Sequence, residues 1–178
     1  REAWRKFAAN FYLFNATPSW LWLNYVFAKV FDLNVRLEAS TADHYFDVIG
    51  EKLATPAFRP RALFERFNIE VLATTESPVD TLDHHHKIQN SGWKGRVVTA
   101  YRPDAVIDPE HEQFKDALKR FAELTGEDVY SWQGYLNAHR KRRADFAKAG
   151  ATSTDHGHPT AATADLNSVE AQRLFEKV

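Results

Sequence analysis

Apolar and polar positions alternate in two different rhythms along this chain. Over residues 1–67 apolar side chains recur at three- and four-residue spacing, beginning with Trp4, Phe7, Phe11 and Phe14, as one face of a helix requires. Thr17-Pro18 stops that helix and starts a second one to about Phe31, because proline suits a first helical turn. Asp32 to Ala39 reads as a loop or short extended piece. Ser40 or Thr41 caps a third helix to about Leu53, and Pro56 and Pro60 break the chain before a short helix ending near Phe67. Beyond residue 67 the rhythm predicts strands separated by helices. Ile69–Thr74 and Arg96–Tyr101 are β-rich runs, and the stretch from Pro78 to about Gln89 between them is helical, closed by Asn90-Ser91-Gly92. Residues 111–125 and 130–149 are helices ended by Gly126 and Gly150, at the favoured position just past a helix. Ala151–Thr154 is a short third strand, residues 158–166 are loop, and Ser168 caps a final helix.

A helical stretch followed by β-α-β-α-β fits a segment of a parallel α/β protein. Each of the three apolar runs ends in polar residues: Thr75-Glu76-Ser77-Pro78, Arg102-Pro103-Asp104 and Asp155-His156-Gly157-His158. Parallel strands joined by helices bring their C-terminal tips to one edge, and α/β enzymes place their substrates at that edge. Three strands cannot close a barrel, which takes eight in the common enzyme form.

Composition narrows the picture by exclusion. The chain has 178 residues, enough for one domain with a substantial core, and its formal net charge of -1 provides no bulk attraction to nucleic acid or an anionic membrane. No apolar run reaches the length of a membrane span, and no signal peptide opens the chain. Without cysteine there is no disulfide framework and no thiolate chemistry, and the compartment stays undecided. Without methionine even an initiator is missing, so the chain is expected to start inside a longer reading frame. The aromatic-rich N-terminal part reads first as helix packing and second as a platform for stacking sugars. P-loop, G-x-G-x-x-G and G-x-S-x-G patterns are all absent from the sequence.

Among the polar tips, Arg102 precedes a proline and is pushed toward extended geometry, which aims its fork into the space above the sheet, where it can hold a carboxylate. The plainer reading is a surface arginine paired with Asp104. Asp155 and His156 form a pair suited to acid, base or ligand roles, and Gly157 allows a sharp turn or close approach. His156 and His158 have the H-x-H spacing of metal ligands, although Gly157 and Pro159 suggest a turn rather than a continuing strand. His84-His85-His86 and the basic run His139 to Arg143 both read as solvated helix faces.

Three segments, Phe67 to Pro78, Thr99 to Asp104 and Ser153 to Gly157, resemble the uronate isomerase family in order and spacing. The aromatic helical stretch before them is similar to that family's helical insertion, so the resemblance covers nearly the whole chain. It implies a helix-rich α/β fold from the amidohydrolase superfamily of metal-dependent (β/α)8 TIM-type barrels, with residues 1–67 as a helical insertion and 68–178 as a partial barrel segment. It implies interconversion of aldohexuronates and ketohexuronates, glucuronate with fructuronate and galacturonate with tagaturonate. Carried over, Arg102 binds the substrate at its carboxylate, and Asp155 and His156 line the catalytic pocket. The family's divalent metal, zinc by expectation, is held by an H-x-H on the first barrel strand and an Asp on the last. Neither strand is here, and His156-Gly157-His158 falls on a different motif.

The chain is thus expected to be an internal segment, incomplete as an enzyme, of a cytoplasmic protein. The expected partner is a small-molecule hexuronate, with no nucleic acid, no membrane, and a homo-oligomer as the possible assembly. Two other readings stay open from sequence: a superfamily hydrolase acting on another substrate, and a helical interaction module without chemistry.

Overall fold

The computed structural model describes residues 1–157 and 162–178 and divides into two compact units, Arg1–Ile69 and Glu70–Val178. In the first unit, helix α1 (Glu2–Ala9) gives way to a tight 3-10 turn at Phe11–Phe14, so the predicted single helix is broken at Asn10. The Asn10 side chain donates to the Lys6 carbonyl at 2.8 Å, a local bond that competes with helix continuation. Thr17 caps α2 (Pro18–Val30) by accepting the Trp20 amide at 3.2 Å, with Pro18 in the first turn as expected. Helices α3 (Ala42–Leu53) and α4 (Pro60–Arg66) complete the unit.

The core of this unit gathers Ala8, Phe11, Phe27, Leu33, Leu37 and Tyr45, with Trp4, Phe7 and Phe14 packed against it. Phe27 and Tyr45 meet edge to face at 5.1 Å, the geometry that ring quadrupoles favour. The Trp4 indole donates to the Ala42 carbonyl at 2.8 Å, which ties α1 to α3. Most of the N-terminal aromatics therefore pack helices together, while Tyr12, Trp22 and Tyr25 stay exposed.

In the second unit, β1 (Val71–Glu76) and β2 (Arg96–Tyr101) pair in parallel from Val71 beside Arg96 to Glu76 beside Tyr101. β1 starts and ends two residues later than its apolar run, because pairing with β2 decides its limits. The connecting helix α5 (Asp83–Gln89) is shorter than the predicted Pro78–Gln89. Residues before it form a loop: the Leu82 amide bonds Asp80 Oδ1 at 2.6 Å, and Leu82 takes a left-handed φ of 60°. The expected third strand is a single parallel bridge from Thr154 to Tyr101, flanked by bonds from the Tyr101 amide to the Ser153 carbonyl and from the Asp155 amide to the Tyr101 carbonyl.

The remaining helices are α6 (Asp104–Ile107), α7 (Phe114–Thr125), α8 (Trp132–Lys148) and α9 (Ser168–Phe175). Gly126 closes α7 at φ 67°, a left-handed position that suits glycine. Ser131 caps α8, and Asn167, one residue before the predicted cap, opens α9 in a reciprocal capping box with Glu170. Val106, Phe121, Val129 and Ala138 form the main core, while Tyr101, Phe146, Ala149 and Leu82 bind α8 to the sheet.

Two predicted solvated faces turn out to be mixed. His84 and His86 are exposed, but His85 is buried beneath β1, its Nε2 2.8 Å from Thr74 Oγ1. In the basic run Arg140 and Arg143 face water, whereas Arg142 is buried and donates to the Pro78 carbonyl at 2.8 Å and the Asp80 carbonyl at 2.6 Å. Those carbonyls belong to the loop before α5, which is satisfied by a tertiary donor instead of a helical ladder. No helix of the described residues is long and apolar enough to cross a membrane.

Candidate functional site

The polar tips of β1 and β2 and the segment after the Thr154 bridge converge at one edge. The Arg102 amide donates to the Glu76 carbonyl at 3.0 Å, continuing the sheet ladder by one rung before Pro103 turns the chain away. From that position the guanidinium reaches two carboxylates. Nε donates to Asp104 Oδ2 at 2.6 Å, and Nη1 donates to Asp155 Oδ2 at 3.3 Å. The Thr75 hydroxyl donates to the same Asp155 oxygen at 3.4 Å, and the His156 amide donates to Asp155 Oδ1 at 2.9 Å. All three strand tips thus contribute to one polar cluster.

Gly157 comes into close approach with this cluster. A Cβ there would stand 2.6 Å from Arg102 Nη2 and 2.8 Å from Asp104 Oδ2, while its amide donates to Asp104 at 3.0 Å. Burial pushes the Asp104 carboxyl up. The Arg102 hydrogen bond, the Gly157 amide and the charges of Arg102 and His156 outweigh that and hold it below the usual range. The hydrogen bond and charge of Asp104 in turn keep Arg102 firmly protonated.

A cavity of about 390 Å³ opens here, lined among others by Thr75, Glu76, Arg102, Asp104, His111 and Gly157. Its polar walls set it apart from a cavity of about 640 Å³ lined by side chains such as Val106, Leu118, Trp132, Tyr135 and Leu174, which offers little to orient a polar reactant. Guanidinium, carboxylates, hydroxyl and imidazole together suit recognition of a polyhydroxy anion and transfer of a proton.

Of the residues singled out from sequence, Arg102 and Asp155 lie in direct contact. His156 is adjacent, tied to Asp155 through its amide, with its side chain exposed. Asp104, the plainer partner for Arg102, pairs with it as well, so the two readings of Arg102 coexist. His158 lies outside the described residues. Among those described, no three His, Cys, Asp or Glu side chains gather in a way that could hold a metal ion. Thr75 and Gly157 join the site beyond the residues to which the sequence assigns a catalytic or binding role. Their signals were Thr75's place in the polar tip of β1 and the glycine directly after the Asp-His pair.

The glucuronate isomerase family model matches residues 1–178. The chain is 71% identical over its full length to the uronate isomerase of Xanthomonas campestris pv. campestris (strain B100) and 67% identical to that of Phenylobacterium zucineum (strain HLK1). It covers 38% and 37% of those proteins, so the chain spans well under half the length of the curated relatives it matches. The crystal structure of glucuronate isomerase from Caulobacter crescentus superposes with a TM-score of 0.93 at 65% identity, over 99% of this chain and 37% of that one. The uronate isomerase structure from Thermotoga maritima gives 0.87 at 26% identity, over 99% and 39%. Similarity so distant in sequence and so close in backbone supports the predicted helix-rich α/β segment of a TIM-type barrel. With every residue inside the family match, the chain belongs to the glucuronate isomerase family.

Proposed function

We propose that the protein to which this chain contributes is a uronate isomerase, interconverting D-glucuronate with D-fructuronate and D-galacturonate with D-tagaturonate in hexuronate catabolism. The observation that carries this reading is the convergence of Arg102 and Asp155 at the strand tips of a chain that matches the family throughout. Aldose–ketose isomerisation removes the proton from C2 and delivers one to C1 while the carbonyl moves from C1 to C2. It therefore needs a base, a proton donor and support for an enediol oxygen.

In this reading Arg102 binds the substrate, with its remaining N–H donors directed at the sugar carboxylate. Two of the guanidinium's five N–H groups are spent on Asp104 and Asp155, which leaves donors for a ligand. Asp155 accepts a substrate hydroxyl and handles a proton. His156 supports it from the next position in the chain, where its amide bonds Asp155. The two acidic neighbours offset the Arg102 charge, so an anionic sugar requires a further cation or donors from elsewhere in the enzyme.

A divalent metal, zinc by resemblance, is such a cation. The residues described here do not fit a complete site for it, since the Asp155 carboxylate is engaged by Arg102 and Thr75 and no third ligand stands beside it. This chain's own contribution is binding, orientation and proton handling. The same reading makes residues 1–67 the helical insertion and 68–178 the barrel segment of an amidohydrolase-type, cytoplasmic enzyme. Its substrate is a small hexuronate, and a homo-oligomer is its proposed assembly. Incubating the full-length protein with glucuronate and with galacturonate and following the ketohexuronate by NMR tests the reading. Product from at least one substrate is expected; no product from either contradicts it.

A further inference from the structure

We infer that Glu76 is a positioning residue for Arg102, acting through a buried cradle of Thr74, Thr99 and His85. This rests on the proposed role of Arg102 as the substrate-binding cation. Glu76 ends β1, and its carbonyl accepts the Arg102 amide at 3.0 Å, the last main-chain rung before the guanidinium projects into the cavity. What holds that rung is the Glu76 side chain. Thr99 of β2, only 1% exposed, donates its hydroxyl to Glu76 Oε2, so the carboxylate fastens the two strands together three residues before Arg102.

Thr74 donates to the same oxygen at 3.0 Å. His85, 6% exposed, places Nε2 2.8 Å from Thr74 Oγ1 and 3.6 Å from Glu76 Oε1. The Thr74 hydroxyl also lies 3.3 Å from the Val98 carbonyl, so it ties the cradle to β2. His85 Nδ1 is buried and has no partner among the described residues. The cradle is thus two hydroxyls converging on one carboxylate oxygen, with the His85 imidazole packed beside them.

A carboxylate placed under a sheet costs free energy unless it is hydrogen-bonded in this way. An apolar side chain would pack that space more cheaply, so the arrangement points to a geometric requirement at the tip. Parallel register puts Thr74, Glu76 and Thr99 together with His85 on the helix side of the sheet, while Thr75 turns to the opposite side, where Asp155 lies. Glu76 thus supports Arg102 through the strand pairing, with its carboxylate held by Thr74 and Thr99 although the residue also borders the cavity.

The test is a coupling measurement in the full-length enzyme. Glu76→Gln is expected to raise KM for the hexuronate about fivefold with kcat within about twofold, and to raise it less than about twofold when added to Arg102→Lys. Thr99→Val should reproduce the KM effect and Thr99→Ser should restore it, so the inference stays testable if Glu76→Gln fails to fold. Equal KM increments in the parent enzyme and in the Arg102→Lys background, or an unchanged KM in both Glu76→Gln and Thr99→Val, would overturn the inference. An Arg102→Lys variant with unchanged KM would instead defeat the substrate-binding reading of Arg102. A KM rise on Glu76→Gln alongside it would overturn the coupling as well.

Discussion

Arg102 Nη1 stands 3.3 Å from Asp155 Oδ2, joining residues 53 apart in sequence across neighbouring strand tips. Both side chains remain nearly half exposed, so this contact contributes little to stability as an ion pair. Its consequence is geometric. It sets the carboxylate beside the fork that would grip a sugar acid, and the bond from Thr75 to the same oxygen limits its rotation.

Replacing Arg102 with lysine should not be conservative. An ammonium cannot bond Asp104 and Asp155 while also presenting a planar pair of donors to a carboxylate. We expect kcat/KM in the full-length enzyme to fall by a factor corresponding to about 2–4 kcal/mol, read by steady-state kinetics. Near-normal kcat/KM would make Arg102 a surface residue.

Gly157→Ala should disturb the same cluster by steric means alone. The added methyl meets the Arg102 Nη2 position and the Asp104 carboxylate well inside contact distance. The flexible guanidinium yields first, so KM should rise several-fold with little loss of melting temperature. Unchanged kinetics would show that Arg102 has no fixed position in the working enzyme.

Arg142 carries the largest stability prediction. Its truncation to alanine removes the donors to the Pro78 and Asp80 carbonyls and the 2.9 Å contact with Asp145. Orphaned carbonyls and a lost buried side chain should cost about 2–4 kcal/mol, measured by urea denaturation. Lysine should rescue only part of this, because one ammonium cannot reach three acceptors in a plane.

A pH effect centres on His139. Burial pushes its imidazole down to about 4, and the nearby Arg143 charge adds to the shift. The Tyr101 hydroxyl pairs with Nδ1 at 2.8 Å, and burial raises that phenol well above its ordinary range, so it serves as the donor. The folded state therefore takes up the His139 proton less readily than the unfolded chain. Its contribution is fully present above about pH 6.5 and is lost as pH falls toward 4, by about 3 kcal/mol in all. Melting temperatures of the parent and of His139→Asn across that window should show a smaller acid loss in the variant; parallel curves would contradict it.

Much of this architecture was legible in the sequence, and the misreadings share a physical origin. β2 follows its β-branched run from Arg96 to Tyr101, since propensity and pairing agree there. On α8 the spacing of Tyr135, Ala138, Arg142 and Phe146 marks an inward face, but polarity hid it, because Arg142 enters the interior to satisfy loop carbonyls. His85 was hidden in the same way, as one of three histidines with its burial set by Thr74 and Glu76 on a neighbouring strand. The third strand fell short because only Tyr101 pairs with it among the described residues. Spacing could mark the polar tips and the local Arg102–Asp104 pair, but not the bonds from Arg102 to Asp155 or from Gly157 to Asp104, which depend on tertiary closure.

Asp155→Asn in the full-length protein tests the central claim most directly, because it keeps the shape of the side chain and removes its charge and basicity. With Arg102 still paired to Asp104, folding should be nearly intact, and melting temperature should change by no more than a few degrees. Loss of general acid–base catalysis should lower kcat for hexuronate isomerisation by about 10²–10⁴-fold. An unchanged kcat, or a collapse in melting temperature with activity per folded molecule preserved, would contradict the assignment of Asp155 to the chemistry.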